Sequence, residues 1–260
     1  MFRVVIPARY ASTRFPGKAL VSIAGKPMVQ WVYERAVASG AREVLIATDD
    51  LLIVSAAHSF GAATIMTAAS HVSGTDRIAE VARLRGWAES DLVVNVQGDE
   101  PLIAPAAIDQ VAGALADNPW AAIATVATAV TSLQQLLDTN AVKVVTDTRG
   151  RALYFSRAPI PWNRAGAGAA VTTQRLYAGA RRHVGLYAYR VGALRRLADL
   201  PPSELEKREA LEQLRALENG LDIVVVDALE PPGPDVNTPE DLEHVAALLQ
   251  KDLTECASRR

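Results

Sequence analysis

Residues 2–18, FRVVIPARYASTRFPGK, combine a short apolar strand with a loop that carries many cations. Phe2–Ile6 is typical of a strand, and polar groups follow it at Arg9, Ser12, Thr13, Arg14 and Lys18. Guanidinium and ammonium groups on a strand-to-helix loop suit a polyphosphate. A solvated loop also carries charge, so this stretch alone gives a triphosphate site and a merely solvated loop equal weight.

The composition of the 260-residue chain limits the classes of protein it can be. Half of the residues are hydrophobic, which suffices for the core of one large α/β domain. The net charge of −2 provides no global basic field for nucleic acid. The single cysteine, Cys256, excludes an intrachain disulfide, and no apolar run approaches the roughly 20 residues of a membrane span. We therefore expect a soluble, cytoplasmic protein without nucleic-acid or membrane partners.

Short β-branched runs alternate with helical patterns along the first half of the chain. This order of nearly continuous apolar strands predicts an α/β, Rossmann-like fold, with a mostly parallel sheet and helices on both faces. The predicted strands are Val4–Ile6, Glu43–Ala47, Ala62–Met66, Leu92–Val96 and Ala122–Ala127. The predicted helices are Pro27–Ser39, Leu52–Phe60, Asp76–Arg85 and Pro105–Asp117. Ligands bind such sheets outside the carboxyl ends of the strands, where the basic loop and the turns at 48–50 and 97–101 lie.

The pattern changes from about Lys143 to Tyr189. Strand-like pieces flank a loop rich in glycine and alanine, Arg164–Val171, which favours an inserted, smaller antiparallel sheet with a mobile loop. These pieces are Lys143–Thr146, Ala152–Phe155 and Val184–Tyr189. The remaining predicted elements are a helix at Glu204–Glu218, a strand at Ile223–Val226 and a helix capped by Thr238. We therefore predict one domain, residues 1–250, with an insertion at about 143–190 and a frayed tail at 251–260.

Two further stretches bring candidate chemistry to the same edge of the sheet. In NVQGDEP, residues 95–101, Asp99 can present a carboxylate to Mg²⁺, although the stretch is equally good turn chemistry. In HVSGTDR, residues 71–77, a turn opens a helix and suits an anion or a base edge, although an ordinary N-cap is favoured on this stretch alone. The sequence contains no P-loop, no G-x-G-x-x-G and no histidine spacing of a metal site.

Together, these stretches resemble the 3-deoxy-manno-octulosonate (KDO) cytidylyltransferases. Further matching pieces are NAVKVV, ALYFSRAPIPW, RHVGLYAYR, LEQLRALENG and NTPEDLEHV, so the resemblance extends from residue 3 to about 248. It implies a nucleotide-diphospho-sugar transferase type of fold. It also implies transfer of CMP from CTP to KDO, which gives CMP-KDO and pyrophosphate with Mg²⁺ as cofactor. A homodimer that serves lipopolysaccharide biosynthesis is implied as well.

The resemblance implies roles for individual residues. The CTP-binding set would be Arg9, Ser12, Arg14, Lys18, Ser73, Gly74, Arg77 and Gln97. The sugar-binding set would be Arg157, His183, Tyr187, Glu212 and Gln213. Without the resemblance, packing on a strand better explains Tyr187, and a solvated helix better explains Glu212 and Gln213. The catalytic residues, which neutralise charge on the leaving pyrophosphate or hold the metal, would be Arg14, Lys18 and Asp99. The metal ligands would be Asp99 and Asn237.

One position departs from the family pattern. The family motif V-D-T-P-E-D-L supplies a second metal-binding carboxylate, whereas this chain has Asn237 in the stretch VNTP, residues 236–239. An amide oxygen adds no negative charge, so the metal affinity should fall. Asp235 faces the same way in an extended segment but would have to move to replace it. The departure leaves three hypotheses: an active KDO cytidylyltransferase, an enzyme for another sugar acid such as 8-amino-KDO, and a non-catalytic nucleotide or sugar binder.

Overall fold

The computed structural model of the protein describes residues 1–11, 15–164 and 176–258. The strands are β1 (Phe2–Ala8), β2 (Ser22–Ile23), β3 (Lys26–Pro27), β4 (Val44–Thr48), β5 (Ala63–Met66), β6 (Leu92–Asn95), β7 (Ile123–Ala129), β8 (Lys143–Thr146), β9 (Ala152–Ser156), β10 (Arg181–Arg190) and β11 (Ile223–Asp227). The α-helices are α1 (Met28–Val37), α2 (Leu51–Ser59), α3 (Gly74–Leu84), α4 (Pro105–Asp117), α5 (Leu133–Leu137), α6 (Val191–Asp199), α7 (Glu204–Glu209), α8 (Gln213–Glu218) and α9 (Pro239–Ser258). A short 3₁₀ helix spans Lys18–Leu20.

A central sheet organises these elements, in the order β11-β7-β10-β6-β1-β4-β5, with β8 paired to β10 and β9 paired to β8. The pairs β1–β4, β1–β6, β4–β5 and β7–β11 are parallel. Strand β10 runs antiparallel between β6 and β7, so its first residues lie at the edge where these two neighbours end. The predicted α/β architecture with a mostly parallel sheet is confirmed, and β2 and β3 form a small separate antiparallel sheet.

Both faces of the sheet are covered, as continuous apolar strands require. Val4, Val5 and Ile6 of β1 are fully buried although successive side chains point to opposite faces. One core contains residues of α1, α2 and α4, and the other contains residues of α3, α6 and α8. Within the described ranges, no helix has the length and apolar character that crossing a bilayer requires.

The prediction of a single helix over Glu204–Glu218 is wrong. The chain forms α7 and α8 instead, and Ala210 between them adopts a left-handed conformation with φ of 51°. Arg157 stabilises this break, because its Nε donates to the carbonyl of Glu209 at 2.6 Å and its Nη2 to that of Ala210 at 3.4 Å. The residues around the break are ordinary helix formers, so local propensity could not reveal it.

Other elements differ from the sequence pattern in extent or partners. Strand β10, part of which we expected in an inserted sheet, lies inside the main sheet, because side-chain pattern does not specify which strands pair. Helices α5 and α6 were not predicted, and α9 continues past Gln250 to Ser258. The loop predicted to be mobile lies, apart from Arg164, outside the described residues. The division into one domain with an insertion stays a prediction.

A buried ion pair joins α7 to α8. Arg215 donates to both carboxylate oxygens of Glu206, at 2.8 and 2.5 Å, and the two side chains are only 8% and 10% exposed. Ser203 and Glu206 also form a reciprocal capping box at the start of α7. The pair therefore fixes α8, and with it Glu212 and Gln213, relative to α7.

We predict that Arg215→Met lowers the free energy of unfolding by about 3–5 kcal/mol, because Glu206 is left as an uncompensated buried charge. Urea denaturation followed by circular dichroism measures the change. The control is Lys207→Ala on α7, the helix of Glu206; the partner of Lys207, Glu204, is exposed, and the change should cost less than about 1 kcal/mol. Equal losses in the two variants would contradict this account of the pair.

Candidate active site

A cavity opens where β1 and β6 end, at the carboxyl edge predicted from the sequence. Its inner pocket has a volume of about 250 Å³ and is lined by every described member of the predicted CTP-binding set: Arg9, Lys18, Ser73, Gly74, Arg77 and Gln97. Ser12 and Arg14, also predicted, lie outside the described residues. The inner pocket continues into an outer cleft of about 960 Å³, whose walls include His183, Tyr187, Glu212, Gln213 and Asn237. The two share five wall residues: Arg9, Ser73, Gly74, Gln97 and Asp99.

The amino end of α3 forms one wall of the inner pocket. Ser73 caps this helix, because its Oγ accepts a hydrogen bond from the amide of Asp76 at 3.1 Å. The N-cap interpretation of this stretch is thus realised, and the capped helix end still faces the pocket, where it favours an anion. A side chain at Gly98 would approach the carbonyl oxygen of Pro7 to 3.0 Å, so glycine lets this turn lie close to β1.

Lys18 and Asp99 meet in the inner pocket. The Lys18 ammonium donates to Asp99 Oδ2 at 2.6 Å and to the carbonyl oxygen of Val236 at 2.8 Å. The amide of Val236 in turn donates to the carbonyl oxygen of Asp99 at 2.9 Å. These bonds join the basic loop, the turn after β6 and the segment before α9, which are distant in sequence.

Arg77 is almost fully buried and lines the inner pocket. It donates to Asp49 Oδ2 at 3.2 Å and to the hydroxyl of Thr67. Asp49 therefore fixes the orientation and balances the charge of Arg77. Sequence reasoning placed the turn containing Asp49 at this edge but assigned that residue no role.

Aromatic rings form one wall of the outer cleft. His183 lies between Phe155 and Tyr187, with ring centroids 5.1 and 5.3 Å away, and Tyr187 stacks on Tyr189 at 5.8 Å. Burial, and to a lesser extent the charge of Arg182, lower the pKa of His183 to about 3. Burial also raises the pKa of the Tyr187 hydroxyl well above its ordinary value. Both side chains are therefore neutral at physiological pH.

Glu212 also lines the outer cleft. Its Oε2 accepts a hydrogen bond from Thr75 at 2.9 Å. Burial raises the pKa of the Glu212 carboxyl, and the bond from Thr75 opposes part of that rise. Burial thus favours the neutral forms of His183, Tyr187 and Glu212 in the outer cleft. Neutral polar side chains suit the hydroxyl groups of a ligand better than its phosphates.

Arg157, predicted to bind the sugar acid, does not line the cleft. Its guanidinium is bonded to backbone carbonyls, including that of Thr139 at 2.8 Å. Arg182 does line the outer cleft, and sequence reasoning missed it. The neighbouring motif residue His183 was the available signal, since Arg182 directly precedes it.

Acidic and amide side chains gather where the inner pocket meets the outer cleft. Asn237 Nδ2 donates to Asp235 Oδ2 at 2.5 Å, and both residues line the outer cleft with Asp99 and Glu100. Burial raises the pKa of Glu100 to about 8, and the charges of Asp99 and Asp235 add to this effect. The sequence predicted Asp99 and Asn237 as metal ligands in this group and gave no role to Glu100.

The chemistry of these donors fits Mg²⁺. Among the described residues, no three histidine, cysteine or acidic side chains form a ready-made metal site. Mg²⁺ usually binds through one or two carboxylates together with substrate phosphates and water, so it does not need such a cage. The Lys18 ammonium against Asp99 shows that a cation is accommodated beside this carboxylate. The arrangement can therefore bind a polyanion in the inner pocket and a polyol in the outer cleft.

The chain is similar to known cytidylyltransferases. Residues 3–223 match the family described as cytidylyltransferase. The 3-deoxy-manno-octulosonate cytidylyltransferase of Pseudomonas syringae pv. syringae is 55% identical over 251 residues, which cover 96% of this chain and 98% of that protein. The protein of the same name from Thioalkalivibrio sulfidiphilus is 54% identical over 249 residues, covering 96% and 99%.

Solved structures show the same likeness. The structure of CMP:2-keto-3-deoxy-manno-octonic acid synthetase in complex with CTP superposes with a TM-score of 0.86 at 43% identity, covering 96% of this chain and 98% of that one. The structure of 4-diphosphocytidyl-2C-methyl-D-erythritol synthase has a TM-score of 0.63 at 12% identity, covering 95% and 98%. The second likeness concerns the fold alone.

We predict that the His183 imidazole does not titrate between about pH 5 and pH 8, because burial strongly disfavours its protonated form. Histidine-selective NMR on the four-histidine chain measures this, and the signal missing from His183→Gln assigns the residue. A titration midpoint inside that pH range would contradict the account of the cleft wall. Since the unfolded chain protonates this imidazole near pH 6.5, the free energy of unfolding should also fall as the pH drops below about 6.5.

Proposed function

The chain belongs to the cytidylyltransferase family, and we propose from this premise that it transfers the CMP part of CTP to the anomeric hydroxyl of KDO and releases pyrophosphate. The proposal is carried by the continuity of the cationic inner pocket with the polar, aromatic outer cleft across Asp99. The product would be an activated sugar for lipopolysaccharide biosynthesis. The cleft offers no support for a different sugar acid or for a non-catalytic binder.

In the inner pocket, Arg9 and Lys18 would hold the triphosphate, together with Ser12 and Arg14 of the same loop. The anomeric oxygen attacks the α-phosphorus, the bond from that phosphorus to the bridging oxygen breaks, and pyrophosphate leaves with the electron pair. The hydroxyl proton passes to solvent. The residues act by positioning the reactants and neutralising charge on the leaving group, and no covalent enzyme intermediate is needed.

The base of CTP would lie against the amino end of α3. Ser73, Gly74 and Gln97 line this part of the inner pocket, and Arg77 faces it with its orientation fixed by Asp49. Backbone and side-chain donors held in place by a capped helix can read the polar edge of a cytosine. Arg77 is bonded to Asp49 and Thr67, so its contribution to binding of the base would depend on those two partners.

The sugar acid would lie in the outer cleft. Neutral His183 and Tyr187 can exchange hydrogen bonds with hydroxyl groups, and Glu212 and Gln213 face them from α8 and the residue before it. The carboxylate of the sugar acid requires a cation. Arg182 is better placed for this role than Arg157, which would instead support the break between α7 and α8.

Asp99 and Asn237 would hold the Mg²⁺, with Asp235 tied to Asn237 by a hydrogen bond. The ion, when bound, draws charge from the phosphate oxygens and makes the α-phosphorus more open to attack. Asn237 orients Asp235, and Lys18 releases Asp99 when phosphate oxygens become available to its ammonium. We further propose a cytoplasmic homodimer, as the resemblance to KDO cytidylyltransferases implies.

We predict that Lys18→Met lowers kcat with CTP and KDO by about 10²–10³-fold, because one preorganised donor to the developing charge is lost. Pyrophosphate release in a coupled assay measures the rate. Lys26→Met is the matched control: Lys26 bonds Glu34 outside the cleft, and its loss should leave kcat within about twofold. Absence of pyrophosphate release by the unaltered protein at saturating Mg²⁺ or Mn²⁺ would overturn the proposed function.

We predict that Asn237→Asp lowers the Mg²⁺ concentration needed for half-maximal rate, because it adds a negative charge to the ligand set. Asp99→Asn should raise that concentration strongly and weaken binding of Mn²⁺ in the presence of CTP, measured by electron paramagnetic resonance. Glu240→Gln changes an exposed charge next to the same segment and should alter neither quantity. Equal metal requirements in Asn237→Asp and the natural chain would remove Asn237 from the ligand set.

A further inference from the structure

Two buried carboxamide groups in the outer cleft have unsatisfied hydrogen-bonding atoms. Asn95 Oδ1 and Gln213 Nε2 have no hydrogen-bond partner among the described residues. The two residues are only 2% and 7% exposed, and both line the outer cleft. Buried polar atoms are normally paired, because leaving one unpaired forfeits its bond to water without replacement. Gln213 belongs to the predicted sugar-binding set, whereas nothing so far assigns a role to Asn95.

The sheet places Asn95 between the two halves of the site. It is the last residue of β6, and in the antiparallel register it lies opposite Tyr187 of β10. Paired residues of adjacent strands point to the same face, so the side chains of Asn95 and Tyr187 are neighbours. Along the chain, Asn95 precedes Gln97 and Asp99, which face the inner pocket.

The chemistry of the two atoms restricts what can satisfy them. Asn95 Oδ1 is an acceptor and needs a donor, so neither a carboxylate nor a phosphate can bind it. Gln213 Nε2 is a donor and needs an acceptor. A hydroxyl group offers both, and a sugar that presents several hydroxyl groups can satisfy both atoms at once. The neighbouring Tyr187 ring offers such a sugar an apolar face.

We propose that Asn95 is a specificity-determining residue for the acceptor: its Oδ1 accepts a hydrogen bond from one hydroxyl group of the sugar acid. The proposal rests on the proposed function, because it takes the outer cleft as the acceptor site. Asn95 would let the enzyme discriminate against deoxy analogues, because an analogue without that hydroxyl group leaves the buried Oδ1 acceptor unpaired.

The test compares the unaltered enzyme with Asn95→Ala on KDO and on a series of analogues that each lack one hydroxyl group. Asn95→Ala should lower kcat/KM for KDO by about 10–100-fold and leave KM for CTP within about twofold. For one analogue, kcat/KM of the unaltered enzyme should be lower than for KDO by a similar factor. The Asn95→Ala variant should then have the same kcat/KM for that analogue as the unaltered enzyme. If Asn95→Ala lowers kcat/KM by the same factor for KDO and for every analogue, the proposal is overturned.

Asn118→Ala is the control for loss of a carboxamide elsewhere. Both polar atoms of Asn118 are bonded, Nδ2 to the carbonyl of Ala114 at 2.9 Å and Oδ1 to Trp120 Nε1 at 3.1 Å, and the residue lines neither cavity. This variant should lower the melting temperature but keep kcat/KM for every acceptor. The same acceptor pattern in Asn118→Ala and Asn95→Ala would also overturn the proposal.

A second measurement does not depend on whether Asn95→Ala folds. The side-chain amide NMR signal of Asn95, assigned with Asn95→Asp, should shift when KDO binds the unaltered protein and not when the discriminating analogue binds. If the Asn95 signal does not shift when KDO binds, the Asn95 proposal alone is overturned. An unaltered protein that releases no pyrophosphate from CTP and KDO would instead overturn the proposed function, and the Asn95 assignment with it.

Discussion

The antiparallel strand β10 is the constraint on which the site depends. Its neighbours β6 and β7 run parallel to one another, and β10 lies between them in the opposite sense. Because of this reversal, His183 and Tyr187 arrive at the edge where β6 delivers Asn95. In a wholly parallel sheet, the first residues of that strand would lie at the opposite edge, far from Asp99. One reversed strand therefore creates the outer cleft beside the inner pocket.

The two halves of the site differ in charge for a physical reason. Arg9 and Lys18 line the inner pocket, where the Lys18 ammonium is bonded to Asp99. In the outer cleft, burial pushes His183 and Tyr187 toward their neutral forms. A triphosphate and a polyol need different environments, and the cationic side chains of the inner pocket and the neutral rings of the outer cleft provide them within one cavity. Asp99 lines both cavities, so it lies where the proposed function would bring the phosphorus and the attacking hydroxyl together.

Several features of the site followed from local sequence. The apolar run of β1 and the cations after it indicated a phosphate-binding loop, and the position of Asp99 after a buried strand indicated a carboxylate at the same edge. Other features depended on distant contacts. The break at Ala210 is stabilised by Arg157, so a residue predicted to bind the sugar acid shapes the segment that leads into α8. Its role toward the sugar acid stays a prediction.

The sequence by itself determined the class of fold, the edge of the sheet at which the cavity opens and the family, because these depend on the period of apolar residues and on contiguous motifs. Only the tertiary structure decided the place of β10, the partners of Arg77 and Arg157, and the burial of Asn95. The physical reason is that strand pairing and burial arise between segments far apart in the chain. A side chain's neighbours there, and hence its charge and its unsatisfied hydrogen bonds, leave no trace in its local sequence.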